Sequence, residues 1–393
     1  MERYRILTLD GGGAWALIEV MALIDLYGAD TTGHQVLRDF DMVAANSGGS
    51  IVLGGLVEDL SLQNMLDFFL SEDKRKSVFV RKSLHLPGME KYITTGKLTG
   101  LRAAFPNRCD VPLNEVVQDI PGHSSGKPVH LLIAGFNYDR SRGEFFRSAP
   151  ATRPGFGIGD PSTATLAECI HASSNAPIRY FDRPAELPTK PGTHYWDGAI
   201  SGSNNPILIA VTEALVLGQP SSGLAALSIG TGGTFLPMAP EDADPEPYYM
   251  TIHESSLTTD LEKIAGAILD DPPDVASFMA HVMSDGPPAA AVAPVDSSIV
   301  RLNPMIAPVV NEEDEFVLPH GMDAESFENL VKLDMDAVEQ DQVDEIVNFA
   351  RLWLKGSISN QPVRAAADLT PEIGQGKYAQ AKDAWNKLVA MPF

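Results

Sequence analysis

The chain has 393 residues, 44% of them hydrophobic and 21% charged, a composition that suits a folded protein of two domains, or one large domain with an extension. Its 29 Lys and Arg stand against 52 Asp and Glu, and the net charge of −23 argues against a surface that wraps nucleic acid. Cys109 and Cys169 are too few for a disulfide framework, no apolar run approaches the roughly 18 residues of a membrane span, and the first residues carry no secretory pattern, so a soluble, cytoplasmic protein is expected.

In chain order, Ile6–Leu9 is a short apolar run ending in glycines and reads as a strand. Ala14–Tyr27 is apolar, has no breaker and reads as a helix. Asp41–Ala45 is a second strand, and Ile51–Leu70 reads as one helix with a glycine pair near its start. Val129–Phe136 is a buried strand that Glu144–Arg147 can pair with across a turn at Asp139–Gly143. Thr165–Ala172 and Pro206–Leu217 read as helices, the second with proline at its permitted first position. Leu224–Ile229 is a strand closed by Gly230-Thr231-Gly232-Gly233. Strands alternating with helices predict an α/β fold with a mostly parallel sheet covered on both faces. Sites in such sheets lie at the carboxyl ends of the strands.

Charge places a boundary near residue 240. From 241 to 350 the only basic residues are Lys263, Arg301 and Lys332, so this segment carries almost the whole net charge. It also holds a Pro/Ala tract at 286–294 and the acidic run Glu312–Glu315. We expect a compact part, 1–240, and an acidic, partly helical extension, 241–393. Helical spacing of Val343, Ile346, Val347, Ala350 and Leu354, and of Tyr378, Ala381, Trp385 and Leu388, predicts two core-facing helices there. The segment 71–108 is biased the other way, with nine Lys and Arg against Glu72, Asp73 and Glu90. It mixes Val78, Phe79, Val80, Leu84, Leu86 and Met89 with Lys74, Arg75, Lys76, Arg81 and Lys82. That mixture suits the boundary of an anionic lipid surface. It equally suits a solvated face, or an ion-paired contact with the acidic extension.

Three loops can carry chemistry. Asp10-Gly11-Gly12-Gly13 leaves backbone N–H groups uncovered ahead of a helix, which suits a phosphate or the oxyanion of an acyl intermediate. The same glycines can also simply form a tight turn. Gly11, Gly13 and Ala16 match a loose dinucleotide pattern, with Asp30 near the ribose-binding distance. Ala45-Asn46-Ser47-Gly48-Gly49-Ser50 is close to the nucleophile elbow G-x-S-x-G, although Ser47 could equally be a helix cap. Asp197-Gly198-Ala199, ahead of Asn204-Asn205-Pro206, can hold a carboxylate at a loop tip or be no more than a turn.

Taken together, DGGGAWA at 10–16, ANSGGSI at 45–51 and DGA at 197–199 resemble, in order and spacing, the patatin-like phospholipases, a family of lipid acyl hydrolases. HASSNAPIRYF at 171–181, DGAISGSNNP at 197–206 and LSIGTGG at 227–233 extend the resemblance over about residues 4–235. It implies a three-layer α/β/α fold and a Ser–Asp dyad, with Ser47 as nucleophile, Asp197 as base and Gly11, Gly12 and Gly13 as the oxyanion loop. It also implies a lipid or phospholipid substrate and no cofactor. The sequence departs from the family pattern in three places. Trp15 and Ala16 stand where the family usually has Arg and Gly, Ala45 replaces the first glycine of the elbow, and Ser50 stands where a third small glycine is common.

Two other readings of the residues stay open. A Ser–His–Asp esterase would draw its histidine from His253, His281 or His320, which follow Asp197; His171 and His194 precede it and would support its loop. A non-catalytic lipid- or dinucleotide-binding module would leave Ser47 and Asp197 without a role. No metal cluster is visible in the sequence, and Glu312–Glu315 lacks the alternation of a calcium loop.

Overall fold

In the computed structural model the described residues are 2–82, 90–124, 126–149, 163–240, 244, 246–251, 254–256, 263, 274–286, 297–361, 363–364 and 371–391. The central sheet contains β1 (Tyr4–Leu9), β2 (Met42–Ala45), β3 (His130–Asn137), β4 (Arg142–Arg147), β5 (Ala185–Leu187), β6 (Lys190–Asp197) and β7 (Leu224–Ile229). Ile299–Leu302 is its eighth strand. β3, β2, β1, β7 and Ile299–Leu302 lie side by side and parallel. β4 and β6 pair antiparallel with β3, and β5 antiparallel with β6.

Side chains of successive strand residues point to opposite faces, so a sheet covered on both sides needs apolar residues at every position. The parallel strands largely satisfy this, with Thr8, Ser228 and Arg301 among the buried polar exceptions. Leu7, Leu9, Val43, Ala45, Leu131, Ile133, Leu227 and Ile229 enter one core, which includes helices α1 (Leu17–Tyr27), α2 (Gly33–Leu37) and α3 (Ser47–Val57). Ile6, Met42, Ala44, Leu132, Leu224 and Ala226 enter a second core. There they meet Ile207, Ala210, Val211 and Ala214 of the helix Ile207–Val216, together with Ala276 and Ala280. The result is the expected three-layer α/β/α arrangement with a mostly parallel sheet.

The single helix expected over Ile51–Leu70 is two helices, α3 and Leu62–Leu70. Asp59 adopts a left-handed φ of 63°, which ends the first. Ser61 caps the second by accepting the Asn64 N–H at 3.2 Å.

Residues beyond 240 share the interior of the rest. Ile299–Leu302 extends the sheet beside β7. Phe349 of the helix Gln340–Leu354 packs edge-on against Trp15, with ring centroids 6.1 Å apart. Trp385 of the helix Tyr378–Ala390 stacks on Phe40 at 5.8 Å. Both helices expected near the C-terminus are therefore present and core-facing. Residues 287–294 of the Pro/Ala tract, Leu84, Leu86, Met89 and His253 lie outside the described residues. Among the described residues, no helix is long and apolar enough to cross a membrane, and no group of His, Cys, Asp and Glu could hold a metal ion.

Candidate active site

Strand register brings the three loops together. β1, β2 and β7 end level with one another, Leu9 pairing with both Ala45 and Ile229. Ala45 also pairs with Ile133 of β3, and two residues further along β3, Gly135 pairs with Asp197 at the end of β6. The glycine turn after β1, the serine turn after β2 and the aspartate of β6 thus meet at one end of the sheet.

Ser47 opens α3 directly after β2, with Asn46 as the extended residue between them. Its φ is 46°, the left-handed region that a residue with a side chain avoids, and it lies in a turn too sharp for ordinary strand-to-helix geometry. Small neighbours make the turn possible. A side chain at Gly48 would come within 2.5 Å of the Gly13 carbonyl oxygen. Gly13 itself has a φ of 57°, and a side chain there would meet the Met335 carbonyl oxygen at 2.3 Å. The Ser47 N–H is held by Ser173 Oγ, which accepts it at 3.0 Å.

Asp197 is buried, and the Ser47 hydroxyl lies close enough to its carboxylate to favour the charged form. Asp197 Oδ1 also accepts the Ala199 N–H at 2.9 Å and Asn46 Nδ2 at 3.2 Å. Burial raises the Asp197 pKa above the ordinary carboxylate range. The nearby Ser47 hydroxyl, the bonds from Ala199 and Asn46 and the charge of Lys97 act in the opposite direction. Lys97 is fully buried in the helix Thr94–Ala104, 4.4 Å above the Phe181 ring, and donates to the Ser174 carbonyl. The next carbonyl, Asn175 O, accepts the Asp197 N–H at 3.1 Å. Lys97 therefore braces the same turn that holds Asp197.

The glycine turn is differentiated. The Gly11 N–H is committed to the Asn204 carbonyl at 2.8 Å. The N–H groups of Gly12, Gly13 and Gly48 have no partner among the described residues. Beneath the turn, Asp10 is paired with Arg301 at 2.5 Å, and Arg301 also donates to Ser228 Oγ at 2.8 Å. Burial raises the Asp10 pKa to about 6 despite that pairing. Trp15 does not supply the positive charge expected of an Arg at its position. It is buried, and its Nε1 donates to the Asp334 carbonyl at 3.2 Å.

Among the described residues no histidine hydrogen-bonds Asp197. His281 is buried and bonded to Ser297 Oγ at 2.7 Å, and His320 is exposed. His194 is bound to Asp139, and His171 is buried in the helix that ends at Ser173. The glycine turn also gives a pyrophosphate little room, because Thr231 packs on Gly12 and the Met335 carbonyl on Gly13, while Asp30 lies exposed.

The sequence profile of the patatin-like phospholipases matches residues 7–211, which contain all three loops. This chain belongs to the patatin-like phospholipase family. A curated protein of Caenorhabditis elegans described as an intracellular phospholipase A2 is 26% identical over 213 residues. The match covers 54% of this chain and 17% of that protein's length. Among solved structures, that of VipD from Legionella pneumophila aligns over 89% of this chain and 67% of its own, at 10% identity and a TM-score of 0.35, a likeness that adds nothing to the assignment.

Four contributors had no local signature in the sequence. Ser173 lies inside the quoted HASSNAP segment, but nothing there marks its bond to Ser47. Gly48 was visible only as a small neighbour. Lys97 and Arg301 reach the site from helix and strand positions far along the chain, Arg301 being 291 residues from Asp10.

Proposed function

We propose that this patatin-like protein is a serine acyl-ester hydrolase acting on lipids, with phospholipids or lysophospholipids as substrates, through a dyad of Ser47 and Asp197. The observation that carries the reading is a serine in a strained strand-to-helix turn, set beside a buried carboxylate that its neighbour Asn46 also holds. A mere helix cap would not require the left-handed φ of Ser47. The family and the phospholipase A2 relative support a lipid ester as substrate.

Asp197 takes the Ser47 proton as Oγ adds to the ester carbonyl. The N–H groups of Gly12, Gly13 and Gly48, at the N-terminus of α3, donate to the resulting oxyanion. Collapse of the intermediate breaks the ester C–O bond, and the leaving alcohol takes the proton from Asp197. Water then repeats the sequence on the acyl-serine, again losing its proton to Asp197. Gly11 shapes the turn through its bond to Asn204 rather than donating to substrate. The purified protein and its Ser47→Ala variant, assayed on one panel of phospholipids, lysophospholipids and neutral glycerides, test this reading. Hydrolysis by the parent and none by the variant is the expected result. Equal activity in both would refute it.

A further inference from the structure

The space at Ser47 is narrow. The cavity lined by Ser47, Gly13, Tyr180, Phe181, Met335 and Asp336 holds only about 10 Å³, room for about one water. Met335 and Asp336 belong to the turn 333–339, between the helices Ala324–Lys332 and Gln340–Leu354 and outside the residues matched to the family. An acyl ester needs more room beside Ser47 than this, and among the described residues this strap takes part of that room.

Main-chain bonds tie the strap down. The Ala14 N–H donates to Met335 O at 2.9 Å, and Arg75 donates to Val338 O from two nitrogens at 3.0 and 2.9 Å. A second set of contacts is of a different kind. Lys91 Nζ bonds Asp336 at 2.9 and 3.1 Å and Asp334 at 3.1 Å. The Tyr92 hydroxyl donates to Asp336 at 2.7 Å, and the Tyr180 hydroxyl donates to Asp334. An ammonium and two phenols from the family-matched region thus converge on two carboxylates, one of which lines the cavity of Ser47. Packing alone does not call for such a set, because apolar residues of similar volume fill the space with no desolvation penalty. Convergent charged and hydroxyl donors are what an anion's oxygens require. In a glycerophospholipid the phosphate lies a few bonds from the scissile ester.

Resting on the lipid-hydrolase reading above, we propose that Lys91, Tyr92 and Tyr180 form the site for the phosphate of the substrate headgroup, and that Asp334 and Asp336 occupy it in this structure as internal stand-ins for that anion. The strap then yields to a ligand that satisfies the same donors. A phosphate-bearing lipid competes for them, and a neutral glyceride does not.

Binding tests this without turnover. The protein carrying Ser47→Ala, Asp334→Asn and Asp336→Asn is titrated by calorimetry with a lysophosphatidylglycerol, a monoacylglycerol of the same chain, and inorganic phosphate. The phosphate-bearing lipid binds at least ten-fold tighter than the neutral one. Adding Lys91→Met removes most of that difference, Tyr180→Phe removes part of it, and Lys91→Arg restores it. Inorganic phosphate that competes with the lipid shows that free phosphate suffices. Failure to compete, with the lipid preference intact, shows that the phosphate must be lipid-borne; either result upholds the site. Equal affinity for the two lipids in the starting protein, or a difference that survives Lys91→Met, overturns it. In the active protein, Lys91→Met lowers the ratio of kcat/KM on phospholipid to that on a neutral ester at least ten-fold. The ratio cancels any loss of correctly folded protein, and a change of less than two-fold contradicts the proposal. Absence of hydrolysis of every ester would remove the functional reading but leave the binding result standing.

Discussion

Ser47 holds a backbone conformation that costs a non-glycine residue about 1–3 kcal/mol. Stability therefore argues against the serine, which fits a residue kept for chemistry. Ser47→Gly should be more stable than Ser47→Ala by about 1 kcal/mol in urea unfolding, because glycine adopts φ 46° without strain. Equal stability of the two variants would show that the turn is not strained. Both should lack hydrolytic activity. Asp197→Asn cannot accept the serine proton and should lose on the order of 10³-fold or more in kcat/KM, whereas His281→Ala and His320→Ala should not. A severe loss at either histidine would favour a triad. The pH profile follows from burial. Only the carboxylate form of Asp197 can act as base, so activity falls as pH drops through its pKa. Burial raises that pKa, which sets the acid limb above the ordinary carboxylate range. The charge of Lys97 holds the value down, so Lys97→Met should move the limb to higher pH. An unmoved limb would leave Lys97 with a packing role only.

At the scale of elements, the site is a consequence of where strands end. β2 and β6 meet the same strand, β3, two residues apart, and this places Ser47 beside Asp197 although 150 residues separate them in sequence. The glycine, serine and aspartate loops were legible because each packs small residues into a short run, and their order matched a family. The register that joins them was not legible, since β6, with its Lys-Pro-Gly-Thr start, lacks an apolar pattern. The sequence over 51–70 reads as one helix because its apolar spacing continues through the break. The signal was Asp59 and Ser61, a left-handed turn residue and a cap. Arg301 had no signal at all, being one basic residue in an acidic stretch. It neutralises Asp10 in the interior below the glycine turn. Removing one partner of a buried pair typically costs about 3–5 kcal/mol, so Arg301→Met should destabilise the protein by that order in denaturant unfolding. A change below about 1 kcal/mol would mean that Asp10 is protonated and needs no partner.

Across the whole molecule, charge is segregated and then rejoined. The basic segment 71–108 and the acidic extension meet through ion pairs, with Arg81 on Glu339 at 2.8 Å and Lys76 on Glu339 at 3.7 Å. Their opposite signs are visible in composition, and an ion-paired contact is one of the readings that the sequence leaves open; the residues that make it are not legible there. Arg75 is buried against Phe69 O and Val338 O, so it braces the interior and does not face solvent. Neutralising Lys74, Lys76, Arg81 and Lys82 should weaken binding to anionic vesicles, each charge contributing about 1 kcal/mol near such a surface, and the weakening should shrink at high salt. Hydrolysis of a short soluble ester should not fall. Vesicle co-sedimentation beside an ester assay checks both, and equal loss on the two substrates would reject a surface role for the segment.

The account rests on Ser47 being a nucleophile activated by Asp197, and covalent capture reads that most directly. The protein is treated with a fluorophosphonate probe and the adduct is mapped by mass spectrometry. The account predicts one adduct on Ser47, none in Ser47→Ala, and labelling slowed by orders of magnitude in folded Asp197→Asn protein. An adduct on another residue, or near-normal labelling of the Asp197→Asn protein, would contradict it.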